Sequence, residues 1–118
     1  TARLARAHDD AAEQLRDVLS LPLRGRAARR AARIELALRA WARRDAMARQ
    51  AVDEADAARI AYIADILARL GVPPAQARTR AFVVYSLVLA ESLVAAPDGA
   101  AERAERRRLI EALALAAR

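Results

Sequence analysis

Asp56, Arg59 and Glu91 occupy positions where helical spacing calls for apolar side chains, so their charge demands an explanation. Asp56 and Arg59 stand three residues apart in a stretch whose other inward positions are Val52, Ala55, Ile60, Tyr62, Ile63, Ile66 and Leu67. On one helix at that spacing they can pair with each other. Alternatively, Arg59 reaches a neighbouring helix, where Glu35 sits at the rim of an apolar stripe. Glu91 is the single charge within residues 81–96, AFVVYSLVLAESLVAA. Buried without a partner it would be strongly destabilising. It therefore needs one, either as the acidic lining of a cavity or, the expectation here, as an interface residue meeting an arginine of a second subunit.

Other chemistry is scarce. One His and no Cys remove most metal-binding and nucleophilic constellations. His8 falls within the apolar stripe of the first helical segment, with Asp9 and Asp10 on other faces, and reads as a buried or half-buried histidine rather than a ligand. The sequence contains no phosphate-cradling glycine loop, serine-centred elbow or helical zinc motif. It is not read as an enzyme, and no metal or cofactor is expected. The aromatics are Trp41, Tyr62, Phe82 and Tyr85. They read either as plain core or as the lining of a ligand cavity, because buried Trp and Tyr need partners for their polar tips and commonly border small-molecule cavities. Tyr85 shares a face with Ala81 and Ser92, which are small enough to leave room beside it. The candidate pocket is thus Trp41, Tyr62, Phe82 and Tyr85, with Arg59 or Asp56 as a polar anchor.

Five helical segments can position these residues, and the predicted fold class is all-α. The first covers residues 2–20, with Leu4, His8, Ala11, Leu15, Val18 and Leu19 on one stripe. LPLRG at residues 21–25 breaks it, since Pro lacks a donor and Gly favours reversal. The second covers residues 27–44 with Ala31, Ile34, Ala37, Leu38 and Trp41 inward. Asp45 is the expected N-cap of the third, which runs to residue 70. In LGVPP, residues 70–74, Gly71 suits the left-handed C′ position, Val72 the hydrophobic contact after it, and Pro74 the first turn of a fourth helix. A turn at Pro97-Asp98-Gly99 precedes the last helix, residues 100–117, with Leu109, Ile110, Leu113 and Ala116 on its apolar side.

The fourth helix is apolar almost all round. Phe82, Leu89 and Leu93 form one stripe, Val83, Leu87 and Val94 a second, and Val84, Val88 and Ala95 a third. A surface helix of a monomer buries one stripe and wets the rest. A membrane span is not expected, because residues 81–96 make about 24 Å of helix against a hydrocarbon core of roughly 30 Å, and arginines flank them closely. The expected solution is a homodimer in which the last two helices of each subunit form a four-helix bundle. Val83, Val84, Leu87, Val88, Glu91, Val94, Leu109 and Leu113 are its predicted contacts.

Composition agrees with one helical domain spanning residues 1–118. Of 118 residues 34 are Ala, three are Gly and four are Pro. All 21 basic residues are Arg, which a GC-rich coding sequence accounts for. The net charge of +6 is interleaved with 15 acidic residues, so the arginine runs read as solvated helix faces rather than phosphate-binding patches. Lack of Cys fits a reducing, cytoplasmic setting. The chain opens at Thr1 within a helical pattern, as expected for part of a longer protein.

Three stretches resemble one family. Residues 34–45 (IELALRAWARRD), 56–63 (DAARIAYI) leading into LGVP, and 77–85 (ARTRAFVVY) resemble the regulatory domain of TetR-type bacterial transcriptional repressors, over about residues 10–117. The resemblance implies a dimer whose C-terminal helical domain holds a small, mostly apolar effector among its central helices. It also implies an N-terminal helix-turn-helix domain, absent from these residues, through which operator DNA is bound and from which it is released by effector. Two other readings remain: a helical dimerisation module without ligand, and a basic helical protein binding nucleic acid nonspecifically.

Overall fold

Five α-helices follow one another: α1 (Ala2–Ser20), α2 (Gly25–Ala42), α3 (Ala46–Arg69), α4 (Pro74–Leu93) and α5 (Ala100–Leu115), with a 3-10 turn at Leu21–Leu23 after α1. The computed structural model describes residues 1–23, 25–94 and 99–118, and these are all-α. Arg24, Ala95, Ala96 and the expected turn residues Pro97 and Asp98 lie outside the described residues. Among the described residues no helix is long and apolar enough to cross a membrane.

The punctuation between helices acts as its chemistry predicts. Asp45 caps α3, its carboxylate accepting the Ala48 N–H at 2.8 Å. At the other end Gly71 adopts φ +97°, and two hydrogen bonds close the helix: Gly71 N–H to the Ala68 carbonyl at 3.1 Å and Val72 N–H to the Leu67 carbonyl at 3.0 Å. Val72 is buried beneath this reversal, and Pro74 opens α4.

α3 is the central element, packed against α1, α2 and α4, while α5 closes over α1 and α4. The main core joins Ala11, Leu15 and Leu19 of α1 to Ile63, Ile66 and Leu67 of α3, Ala77, Ala81, Val84 and Tyr85 of α4, and Ile110 and Ala114 of α5. Each large apolar side chain buried here contributes about 1.5–3 kcal/mol.

Several stripes differ from expectation. Nothing among the described residues covers the first turns of α1, so Leu4 is 69% exposed and His8 is exposed rather than buried. In α2 the expected stripe is not the buried one: Ala31, Ile34, Ala37, Leu38 and Trp41 are exposed, and of these Leu38 and Trp41 border only a shallow hollow against α3. The face toward the protein instead carries Ala28, Ala32, Glu35, Arg39 and Ala42, a neighbouring strip at the same helical spacing. Alanine permits either rotation, and polar partners on α3 select this one. Tyr62, expected inward on α3, is 48% exposed.

A Cβ at Gly71 would meet no neighbour, so substitution there is penalised through the backbone alone. Gly71→Ala is expected to lower the unfolding free energy by about 1–2 kcal/mol in urea titrations, with helical content unchanged in circular dichroism.

Candidate functional site

Where α2, α3 and α4 meet, five polar side chains converge. Glu35 and Arg39 are one turn apart on α2, Asp56 and Arg59 one turn apart on α3, and Tyr85 projects from α4. Arg39 is fully engaged. Its Nη1 and Nη2 donate to the Asp56 oxygens at 3.1 and 2.5 Å, and its Nε donates to Glu35 at 3.0 Å. Tyr85 donates its hydroxyl proton to Asp56 Oδ1 at 2.5 Å and accepts from Arg59 Nη1 at 3.0 Å. Arg59 also approaches Glu35, at 3.4 Å.

Asp56 and Arg59 are therefore not each other's principal partner. The carboxylate belongs to Arg39 and Tyr85, while the guanidinium takes the alternative route across to Glu35. Arg39 is the member that sequence reasoning missed. Its signal was the four-residue spacing to Glu35, hidden because the more apolar stripe of α2 was assigned inward.

The cluster holds two acids and two arginines, and the surroundings shift the titration of Asp56, Arg39, Arg59 and Tyr85. Burial pushes the Asp56 carboxyl up, but hydrogen bonds from Arg39 and Tyr85, with the charges of Arg39 and Arg59, outweigh it and hold Asp56 below the usual range. Tyr85 is pushed up by burial and by the bond it donates to Asp56, against the opposing influence of Arg59. Arg39 holds its proton more tightly than usual through its bonds to Asp56, and Arg59 through its bond with Tyr85. At neutral pH Asp56 is therefore a carboxylate, Arg39 and Arg59 are cations, and the Tyr85 hydroxyl keeps its proton.

Beside it lies a half-open cavity of about 360 Å³, lined from the 3-10 turn, α2, α3 and α4. Its walls are apolar: Leu21 and Pro22, alanines of α2 including Ala28 and Ala32, and Val88 and Leu89 of α4. Glu35, Arg59, Tyr85 and Ser92 provide its polar atoms. Small side chains on α2 create the room, and the cluster furnishes the polar wall. Ligand pockets commonly combine these features at volumes of about 300–1,000 Å³.

Of the expected pocket residues, the structure brings Tyr85 and Arg59 to this cavity. Trp41 borders a separate hollow of about 120 Å³ on the other side of the Glu35–Arg59 contact. Phe82 is 59% exposed and, like Tyr62, borders none of the described cavities. The alanines of α2 that line it are residues the sequence analysis did not assign to a pocket, whereas Ser92 stands beside Tyr85 as expected.

A second surface runs along α4 and α5. Val83, Val94, Leu109 and Leu113 are exposed, and Leu87 is half-buried beside them. Leu87, Val94, Leu109 and Leu113 line a groove of about 330 Å³ between the two helices. Two predicted contact residues belong elsewhere: Val84 is in the core of the single chain, and Val88 lines the α2–α4 cavity. Glu91 is paired within the chain, accepting from Arg106 Nε and Nη2 at 2.9 and 2.8 Å, so it needs no arginine from elsewhere.

Asp56 and Arg39 are both less than a third exposed, so loss of the carboxylate leaves a poorly solvated guanidinium. Asp56→Asn should reduce stability by about 2 kcal/mol at pH 7. A carboxyl lowered in the folded state stabilises above its unfolded pKa of about 3.9 and loses that contribution as pH falls through its folded value. The difference between parent and variant should consequently shrink below about pH 4 in denaturant titrations across pH.

Comparison with protein-family models, with curated proteins and with solved structures finds no match to this chain.

Proposed function

We propose that this chain is the dimerisation and effector-binding domain of a TetR-like transcriptional regulator, acting with a helix-turn-helix domain that contacts operator DNA. The observation that carries this reading is the cavity between α2, α3 and α4, apolar along its walls and polar at Arg59, Glu35 and Tyr85. A helical module serving only to dimerise would gain stability by filling that space with larger side chains than the alanines of α2. The cavity's position also suits signalling. Leu21 and Pro22, in the turn directly after α1, form part of its wall, so an occupant that moves the turn also moves α1. A ligand preferring one position of α1 over another shifts that equilibrium by its difference in affinity. In a dimer this changes the separation of two reading heads, which must lie about 34–36 Å apart to enter successive major grooves.

The exposed apolar residues of α4 and α5 support the dimer, since Val83, Leu109 and Leu113 lie where a second copy can cover them. The arginines give less support to nonspecific nucleic-acid binding. Arg39, Arg49, Arg69 and Arg106 hold intramolecular acidic partners, and Arg80 and Arg118 donate to backbone carbonyls.

Sedimentation equilibrium tests the assembly directly. The parent chain should sediment as a dimer, and the double variant Leu109→Glu, Leu113→Glu as a folded monomer, because both side chains are already more than half exposed in the single chain. A parent chain that stays monomeric at high concentration defeats the regulator reading.

A further inference from the structure

The hydrogen-bond inventory of the cluster restricts the head group that the cavity can receive. Asp56 accepts from Arg39 and Tyr85, and Glu35 accepts from Arg39 with a longer contact from Arg59. Asp56 has both oxygens engaged and Glu35 its Oε1, and each carboxylate already faces a guanidinium, which weakens its pull on a cationic head. Arg39 has each of its nitrogens committed. Arg59 is different. Only its Nη1 is engaged, and among the described residues its Nε and Nη2 have no protein acceptor. Its side chain is 49% exposed, so a ligand can approach it without extensive loss of hydration. Two parallel N–H donors on a planar group match a carboxylate, which accepts both.

From this we infer that the cavity takes a small amphiphile, a monocarboxylic acid whose carboxylate bridges Nε and Nη2 of Arg59 while its hydrocarbon tail lies between the alanines of α2 and Val88 and Leu89 of α4. The inference rests on the cavity being the effector site and specifies which chemistry it selects. Glu35 does not bar the way, because its 3.4 Å contact to Arg59 falls on Nη1 and leaves Nε and Nη2 for the ligand. The net charge of +6 adds an attractive background for an anion. Trp41, the sole tryptophan, faces the adjoining hollow with Glu35 and Arg59 on its wall, so rearrangement of that contact falls within its surroundings.

Decanoate, below its micellar concentration, is the probe, with decanol and decylamine as tails of the same length bearing other heads. Binding is read by calorimetry and by Trp41 fluorescence on the intact chain. Decanoate should bind about ten- to a hundredfold more tightly than decanol, and decylamine least. Arg59→Gln should remove the preference for decanoate, Arg59→Lys should retain part of it, and Ala32→Leu, which fills the cavity, should weaken decanoate and decanol alike. Equal binding of decanoate and decanol, unaffected by Arg59→Gln yet abolished by Ala32→Leu, would overturn the carboxylate assignment and leave the effector cavity standing. Decanoate binding that Ala32→Leu does not weaken would place the acid outside the cavity and overturn the assignment. Failure of all three probes to bind would overturn both.

Discussion

The docking of α2 depends on a polar tie, with one small apolar cluster, Ala42 against Ala48 and Val52 of α3, beside it. Ala42 is the single buried residue of that helix, and the rest of its inward face consists of alanines with Glu35 and Arg39. Alanine burial contributes little per residue, whereas Arg39 engages both oxygens of Asp56 in a fork geometry that tolerates small displacement only. Tyr85 closes the arrangement from α4 by donating to the same carboxylate. Three helices are therefore registered on one aspartate.

That construction explains why space persists beside the cluster. A helix held by large apolar side chains packs until the gaps close. One held by an ion pair can stand off from its neighbours, and the small side chains along α2 leave the gap unfilled. Glu35 and Tyr85 belong to the cluster that fixes α2 and also stand, with Arg59, on the polar wall of the cavity. The contact of Arg59 with Glu35 between α2 and α3 is separate from the Arg39–Asp56 bond. Adjustment is thus possible without loss of the fold.

Legibility from sequence was uneven, for reasons that differ by residue. Asp45, Gly71, Val72 and Pro74 were readable because caps, left-handed turns and first-turn prolines are local devices, specified within four or five residues. The core faces of α1 beyond Ala11 and of α3 at Ile63, Ile66 and Leu67 were readable too, since large aliphatic residues recur there at helical spacing. The face of α2 was not. Its alanines are nearly neutral toward burial, so Ile34, Leu38 and Trp41 dominated the pattern although they stay exposed. Glu91 was recognised as needing a partner, but Arg106 is fifteen residues away on another helix and no spacing rule links them.

The sequence by itself determined an all-α chain, its main breaks, the identity of its chemically informative charges and the surplus of apolar surface on the last two helices. Those properties follow from backbone propensity and from periodicity, which act over a few turns. Tertiary structure decided which carboxylate each arginine meets, which side of α2 turns inward, and that Tyr85 rather than Phe82 or Tyr62 borders the cavity. These outcomes depend on the relative rotation and offset of whole helices, set by the summed packing of α3 against three neighbours. Local sequence carries no record of that sum.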